Sequence, residues 1–531
     1  MAKSEKWMKQ HAGMILLIIL FGLVLFGVAL PERAAGQFYG EGEGTTEYWL
    51  SDDEVIIESE VITEEIIIGL EYTETLPFAS GPNYSWKKSF EGPGNSYATA
   101  MAVDSQRNAV YVTGRIQKSP TDWDYLIIKY RASTGDKLWQ DTYDGGVNGF
   151  DEARAIAVDG RGNVYVTGYS TGSTDNRTSA DFATIAYTPD PNNLDKMIRK
   201  WPYPKRYNGP GNWDDFGTAI VVDDRDLNNI YVYVTGQSEG LGGGWDFLTI
   251  RYKVSDGTSI ARRYNNSNKR HDTPSAIARD SQGNIYVTGC AYLGPTKGYD
   301  YCTIKYSGAN FTLVPGWPKT YNSTPVKTNA HDYAVGLAVD AQDNIYVTGC
   351  SPYTGTGRGY DYLTIAYKSD NTYLWSPITK RYNGLSNDHA FPKAIAVDGN
   401  GNVYITGMSF KIGQSANFTT IKYTPGSTTT TWSSYDPGDK IWDEALAIAL
   451  DAQGNVYVTG SISRSELNSD YCTLKYDGGL NLVTGWTKPD GGSGWDSAAA
   501  MALDDSGNIY VTGCSTQTNP PVACTTIKYK P

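Results

Sequence analysis

The stretch Ala276–Gly289 reads AIARDSQGNIYVTG and decides the fold of this 531-residue chain. Its Tyr-Val/Ile-Thr-Gly ending recurs in seven further copies that close at Gly114, Gly168, Gly236, Gly349, Gly407, Gly460 and Gly513. The marker Asp before the turn recurs with it, at Asp104, Asp159, Asp223, Asp280, Asp340, Asp398, Asp451 and Asp504. Successive markers are 53 (Asp451 to Asp504) to 64 (Asp159 to Asp223) residues apart. A period of this length predicts one supersecondary unit per repeat, stacked on its neighbours.

Each repeat carries four strand signals, which the second repeat shows in order. Ala155–Val158 alternates Ala with larger apolar residues, and Asp159–Asn163 supplies Gly and Asn for a tight turn. Val164–Thr167 and Asp181–Tyr187 are short runs rich in β-branched and aromatic residues, separated by a polar loop. The fourth signal is a Trp followed by a Tyr and a Gly, as in Trp139–Gly145 of the first repeat.

The two ends of the chain complement each other. The last repeat stops after its third signal, Thr526–Tyr529, and the missing fourth signal stands before the first repeat, at Trp86–Phe90. A ring closed in this way hides the edge strands that an open array would expose. We therefore predict an all-β fold, an eight-bladed β-propeller of four-stranded antiparallel blades whose last blade is completed by an N-terminal strand.

The two recurring motifs resemble the SBBP-type bacterial β-propeller repeat. They are Ala-x-Ala-x-Asp-x-x-Gly-Asn-Val/Ile-Tyr-Val-Thr-Gly and Asp-Tyr-x-Thr-Ile-Lys-Tyr, and they extend from about residue 86 to residue 531. The third repeat departs by two extra residues between Asp223 and Asn229, and the first has Arg107-Asn108 in place of the turn Gly. The resemblance implies an exported or cell-surface propeller and implies no common catalytic residues.

The N-terminus has the pattern of a targeting segment. Three Lys residues precede an unbroken apolar run, Met14–Leu30, and Ala34 and Gly36 fit a small-x-small cleavage site. We interpret residues 1–36 as a secretory signal peptide, with an uncleaved membrane anchor through residues 14–30 as the alternative. Either interpretation predicts export to the cell surface, the periplasm or the extracellular medium.

The negative charge lies mostly in a leader before the propeller. The chain carries a net charge of −13, and residues 37–76 hold 12 Asp and Glu but no Lys or Arg. This balance argues against nucleic acid as a partner, because phosphates need a basic face. We interpret residues 37–85 as an acidic linker, and residues 86–531 as the propeller, which we expect to be monomeric.

All six cysteines lie within the propeller. Cys290 and Cys302 flank one hairpin loop, and Cys514 and Cys524 flank another, so both pairs are possible disulfides in an exported protein. Other repeats place Leu in the slot of Cys302 and Cys472, so a small buried thiol explains that slot equally well. No Cys-x-x-Cys is present, which argues against a zinc site.

A second Asp stands eight residues before the marker Asp in six repeats. These residues are Asp151, Asp215, Asp272, Asp332, Asp443 and Asp496. They fall where the first strand enters from the channel mouth, so a ring of carboxylates there is a candidate ligand site, with Ca²⁺ as a possible ion. The alternative is that each Asp binds backbone amides at the entry of its own strand.

The preceding slot breaks the repeat symmetry. It holds Asn95, Phe150, Asp214, His271, His331, His389, Trp442 and Trp495. Imidazoles on three consecutive blades are candidate ligands for a transition metal, namely His271, His331 and His389. The aromatic residues in the same slot favour the alternative, a planar ring that packs between blades.

The sequence favours a non-enzymatic function. No nucleophile elbow, phosphate loop or zinc motif is present. We expect an exported binding or scaffolding propeller whose channel-mouth loops contact a protein or a glycan at the cell surface. The alternative is a secreted carbohydrate-active enzyme that uses channel-mouth Asp residues as acid and base.

Overall fold

The structure is a computed structural model, and it describes most of the chain from Tyr84 onward. The described residues are 84–90, 92–146, 148–172, 179–266, 270–323, 331–352, 359–384, 389–410, 416–427, 429–437, 442–465, 468–491, 494–516 and 522–530. The predicted signal segment and nearly all of the acidic leader lie outside these ranges. Across the described ranges, no helix has the length and hydropathy needed to cross a bilayer.

The described residues form 33 strands, and the strands from Ser96 to Tyr321 build the first four blades, while the first strand in the chain belongs to the last blade. That first strand is β1 (Tyr84–Phe90). Blade 1 comprises β2 (Ser96–Asp104), β3 (Ala109–Ser119), β4 (Asp122–Arg131) and β5 (Lys137–Tyr143). Blade 2 comprises β6 (Asp151–Val158), β7 (Val164–Thr171), β8 (Ala180–Asp190), β9 (Asn193–Arg199) and β10 (Lys205–Tyr207). Blade 3 comprises β11 (Asp215–Asp223), β12 (Tyr231–Glu239), β13 (Trp245–Lys253) and β14 (Ser259–Tyr264). Blade 4 comprises β15 (Thr273–Arg279), β16 (Ile285–Tyr292), β17 (Tyr299–Tyr306) and β18 (Lys319–Tyr321).

The remaining strands build the other four blades. Blade 5 comprises β19 (Tyr333–Val339), β20 (Ile345–Pro352), β21 (Tyr360–Tyr367) and β22 (Thr379–Tyr382). Blade 6 comprises β23 (Ala390–Val397), β24 (Val403–Phe410), β25 (Ala416–Tyr423) and β26 (Thr430–Tyr435). Blade 7 comprises β27 (Glu444–Leu450), β28 (Val456–Ser465), β29 (Asn468–Tyr476) and β30 (Lys488–Asp490). Blade 8 comprises β31 (Asp496–Leu503), β32 (Ile509–Thr516), β33 (Val522–Tyr529) and β1.

The blades close into a ring, which confirms the predicted eight-bladed β-propeller. The first strand of every blade contacts the first strand of the next, and β31 of the last blade contacts β2 of the first. The N-terminal β1 pairs antiparallel with the C-terminal β33, with Trp86 opposite Lys528 and Phe90 opposite Cys524. Among the described strands, blade 2 is the one that departs in strand number, because β9 and β10 both pair with β8.

The hydrophobic core is divided into layers between neighbouring blades. One such layer joins Tyr165 and Phe182 of blade 2 to Val232 and Leu248 of blade 3. The second and third strands supply most of these side chains, and they are buried on both faces. Burial on both faces explains why the sequences of these strands are nearly continuous runs of β-branched and aromatic residues.

The recurring Gly after Tyr-Val-Thr is explained by a bulge in the facing strand. The first strand of every blade slips register opposite this Gly, for example between Ala445 and Ala447. A Cβ built on Gly460 would overlap the carbonyl oxygen of Glu444, and the corresponding oxygen blocks the other seven positions. Only Gly fits beside a backbone that approaches this closely.

The marker Asp organises the turn between the first two strands. Asp280 Oδ1 accepts the amide N–H of Asn284 (2.7 Å), while Oδ2 accepts the Asn284 side-chain amide (2.8 Å) and the Tyr286 hydroxyl (3.0 Å). Six blades share this arrangement. In the two divergent repeats an Arg side chain binds the marker Asp instead of the Asn amide and Tyr hydroxyl, with Arg107 bound to Asp104 and Arg225 bound to Asp223.

The strand register is different for the two cysteine pairs that were candidate disulfides. Cys302 lies opposite Gly289, so Cys290 and Cys302 project from opposite faces of blade 4 and cannot be bridged without rearranging the backbone. Cys514 lies directly opposite Cys524 on the same face of blade 8. All six cysteines are free thiols in the structure.

Candidate functional site

The first strand of every blade starts on one face of the ring, here called the entry face. The six predicted Asp residues all lie at these strand starts, as expected, and all are buried. Asp151 is typical: Oδ1 accepts the amide N–H of Thr171 (2.7 Å) and Oδ2 accepts that of Gly145 (2.6 Å). The carboxylate thus ties the connection from the preceding blade to the second strand of its own blade.

The other five Asp residues also bind backbone amides. The partners are Gly209 for Asp215, Tyr292 for Asp272, Ser323 for Asp332, Ser463 for Asp443 and Thr516 for Asp496. These bonds belong to the alternative that the sequence left open, in which each Asp holds its own strand entry. Ligand binding by the six carboxylates stays a prediction.

Burial disfavours the ionised form of several of these carboxylates. It raises the pKa of Asp151 to about 6 and those of Asp215 and Asp272 to about 7, although hydrogen bonds to each carboxylate oppose the increase. In Asp215 the Ser238 hydroxyl and the Gly209 amide are the hydrogen-bonding groups that oppose the increase, and desolvation outweighs them.

We expect Asp215→Asn to flatten the pH dependence of stability. Between about pH 4 and pH 7, folded Asp215 holds a proton that the unfolded chain has lost, so its contribution to the free energy of unfolding falls as pH rises. Asn cannot ionise and escapes this loss. Urea denaturation of both proteins at pH 5 and pH 8 tests this, because the variant should gain on the wild type at pH 8. A difference between the two proteins that does not change with pH would contradict the prediction.

The three histidines act alike, and their role is visible in their contacts. Nδ1 of His271, His331 and His389 accepts the amide N–H that opens the third strand of the preceding blade, at 3.1–3.3 Å. Asn95 and Asp214 in the same slot accept the equivalent amide through side-chain oxygens. In these five blades the slot therefore links neighbouring blades through a polar acceptor, whereas Phe150, Trp442 and Trp495 occupy it in the other three.

The structure does not gather the three imidazoles into one metal site. Within the described part of the chain, one group of three acidic, Cys or His side chains has its ligand atoms within 4.8 Å of one another. That group is Asp124, Asp144 and Asp151, which includes one of the predicted carboxylates and none of the histidines. The rings of His271, His331 and His389 instead pack against Trp245, Tyr299 and Tyr360.

A cluster of aromatic and charged side chains on blades 1 and 2 was missed in the sequence. The Arg115 guanidinium lies 5.0 Å from the ring centroids of both Tyr97 and Trp123. Trp123 in turn stacks on Phe150, with centroids 6.0 Å apart and planes 18° from parallel. Glu152 Oε2 lies 3.5 Å from Arg115 Nη1. One signal was available, since the slot after Thr-Gly holds a charged residue only in the first repeat.

Exposed aromatic side chains stand at three strand entries of this face. Phe150 is 47 % exposed, Trp213 is 60 % exposed and Trp495 is 53 % exposed. Each stands just before the first strand of its blade, in blades 2, 3 and 8. In the ring, blade 1 lies between blades 8 and 2. Large apolar side chains exposed together on one face are typical of a binding surface.

Comparisons with known proteins agree on the fold. Residues 142–174, 266–290 and 380–409 match the SBBP family, described as "Beta-propeller repeat". No curated protein matches the sequence. Among solved structures, Sqt1 from Saccharomyces cerevisiae has a TM-score of 0.53 at 7% identity, covering 85% of this chain and 99% of that chain. Sqt1 from Chaetomium thermophilum has a TM-score of 0.51 at 10% identity, covering 83% and 97%. Identities this low show the fold alone.

Proposed function

We propose that this chain, a β-propeller of the SBBP repeat family, is an exported binding or scaffolding protein without enzymatic activity. Its entry face binds a ligand at the cell surface or in the envelope, and a glycan suits the exposed rings best. Residues 1–36 direct export, as a cleaved signal or as a membrane anchor.

The exposed rings on the entry face carry this proposal. Phe150 is backed by Trp123, and Trp123 is held by the Arg115 guanidinium, so the ring that faces solvent is supported from behind. A rigid aromatic side chain loses little conformational freedom when a ligand stacks on it. The nearby Arg115–Glu152 pair supplies polar groups at the border of the apolar surface.

The buried state of the six Asp residues supports a non-enzymatic function. A glycosidase needs two carboxylates that reach the substrate at a defined separation. Asp151 uses both oxygens for backbone amides, and it lies behind the strand connections that it holds. A carboxylate committed in this way positions the chain and has little access to a sugar.

A secreted carbohydrate-active enzyme is the second candidate. The observation that favours it is the pKa of Asp151, which burial raises to about 6, in the range that suits a general acid. This candidate predicts that the purified protein releases new reducing or unsaturated sugar ends, and that Asp151→Asn abolishes the release. A binding protein releases none.

We expect Phe150→Ala to weaken glycan binding about tenfold, because removing a stacked ring costs about 1–2 kcal/mol. Affinity electrophoresis of the full chain in gels containing xylan, mannan, β-glucan or peptidoglycan fragments measures the change in retardation. The control is Trp432→Ala, which removes an equally exposed ring from the outer strand β26 and should leave binding intact.

Two outcomes would contradict the proposal. One is that none of the four glycans retards the wild-type protein. The other is that Trp432→Ala weakens binding as much as Phe150→Ala, which would place the ligand away from the entry face. Release of sugar ends by the wild-type protein would favour the enzyme instead.

A further inference from the structure

Three carboxylates converge between blades 1 and 2 on the entry face. Asp124 lies near the start of β4, Asp144 directly follows β5 and Asp151 begins β6. One carboxylate oxygen from each lies within 4.8 Å of the other two. Like charges held this close call for a positive partner.

Three other blades supply that partner from the fourth strand. Asp181 in blade 2, the counterpart of Asp124, pairs with Arg206 at 2.9 Å, and blades 3 and 5 repeat the pair as Asp246–Arg263 and Asp361–Arg381. These arginines stand opposite Ala183, Leu248 and Leu363 of the third strands. The matching residue in blade 1 is Thr142, opposite Leu126. Blade 1 therefore keeps the acid and lacks the guanidinium.

The cation that approaches Asp124 is Lys118, which lies beside one of the two carboxylate oxygens. Lys118 Nζ lies 3.6 Å from Oδ2, whereas the buried Oδ1 has no hydrogen-bond partner among the described residues. Asp124 itself is only 5 % exposed, so water has little access to this oxygen. Arg206 also extends to the Gly145 carbonyl, but its charge is balanced by Asp181.

We infer that Asp124, Asp144 and Asp151 form a Ca²⁺ site at the entry face of blade 1. Ca²⁺ binds oxygen ligands at about 2.3–2.6 Å, so two oxygens on one ion are at most about 5 Å apart, which the three carboxylates satisfy. The three acids and Lys118 together carry a charge of −2, which one divalent cation neutralises.

The donor set selects Ca²⁺ over other ions. All three side chains offer carboxylate oxygens, and neither His nor Cys takes part, which disfavours Zn²⁺ and Cu²⁺. Asp144 is exposed, so water can complete a coordination shell of six to eight oxygens. Trp123 and Phe150 directly precede Asp124 and Asp151 in the chain, so the Ca²⁺ site lies beside the aromatic cluster. Ca²⁺ binding itself requires no glycan.

Calorimetric titration of the full chain with CaCl₂, after dialysis against EDTA, tests the site. We expect one Ca²⁺ per chain with a Kd of about 10⁻⁴–10⁻³ M, as in extracellular calcium modules. Asp144→Asn should weaken binding at least tenfold, and because Asp144 is exposed the variant should fold normally. The matched control is Asp436→Asn, the same slot in blade 6, where the third-strand counterpart is Asn417 instead of Asp.

Three results would overturn the inference. They are no stoichiometric binding by the wild-type protein, unchanged binding by Asp144→Asn, or an equal loss in Asp436→Asn. Equal binding of MgCl₂ would also overturn the choice of Ca²⁺, because Mg²⁺ demands a tighter octahedral site. Melting temperatures of the metal-free proteins show whether both variants are folded, so loss of binding is distinguished from loss of structure.

Discussion

Trp86→Ala should lower the free energy of unfolding by about 3–5 kcal/mol, the range for truncating a buried aromatic side chain. Trp86 is 6 % exposed and lies in β1, where its ring packs against Tyr130 of blade 1 and Tyr510 of blade 8. Its indole N–H also donates to the carbonyl of Ala132 at 3.0 Å. The variant loses these contacts at the junction where the ring closes.

Urea denaturation of the full chain, followed by circular dichroism, measures this change. Trp432→Ala is the control, because its ring is half exposed on the outer strand of blade 6 and its loss should cost less than about 1 kcal/mol. Equal midpoints for Trp86→Ala and the wild type would mean that β1 contributes little to closure.

Gly407→Ala should cost about 3 kcal/mol or more. A Cβ at this position would overlap the carbonyl oxygen of Phe391 and crowd the Cα of Pro392, both in the inner strand β23. Backbone atoms cannot turn away as a side chain can, and β23 is held between the inner strands β19 and β27. The cost therefore falls at the upper end of that expected for overpacking.

The same blade provides a matched control for this substitution. Gly399 lies in the turn of blade 6, and a Cβ there would meet no atom within 4 Å. Gly399→Ala should leave the free energy of unfolding within about 1 kcal/mol of the wild type, because it adds no clash. If both variants unfold at the same urea concentration, close packing does not explain the recurring Gly.

The eight-bladed ring was predictable because the sequence motif that produces each blade is periodic. Every copy of the motif repeats the same marker Asp, turn and Gly, so the number of blades can be counted from residues such as Asp280 and Gly289. The strand displaced to the N-terminus was also readable, since Trp86 carries the fourth-strand signal. The bulge in the first strand of each blade could not be predicted, because that strand keeps its apolar alternation. Its only trace in the sequence is the Gly on the facing strand.

For the candidate sites, the positions of the residues were predictable and their contacts were not. The order of residues in the chain determined the eight strand entries and the slots that hold Asp151 and the histidines, because each blade repeats one local pattern. Only the tertiary structure decided what those side chains do. Closing the ring buries Asp151 against amides of two blades, and it brings Asp124 and Asp144 beside it from separate strands. Such meetings depend on how neighbouring blades pack, and no periodic pattern within one repeat contains that information.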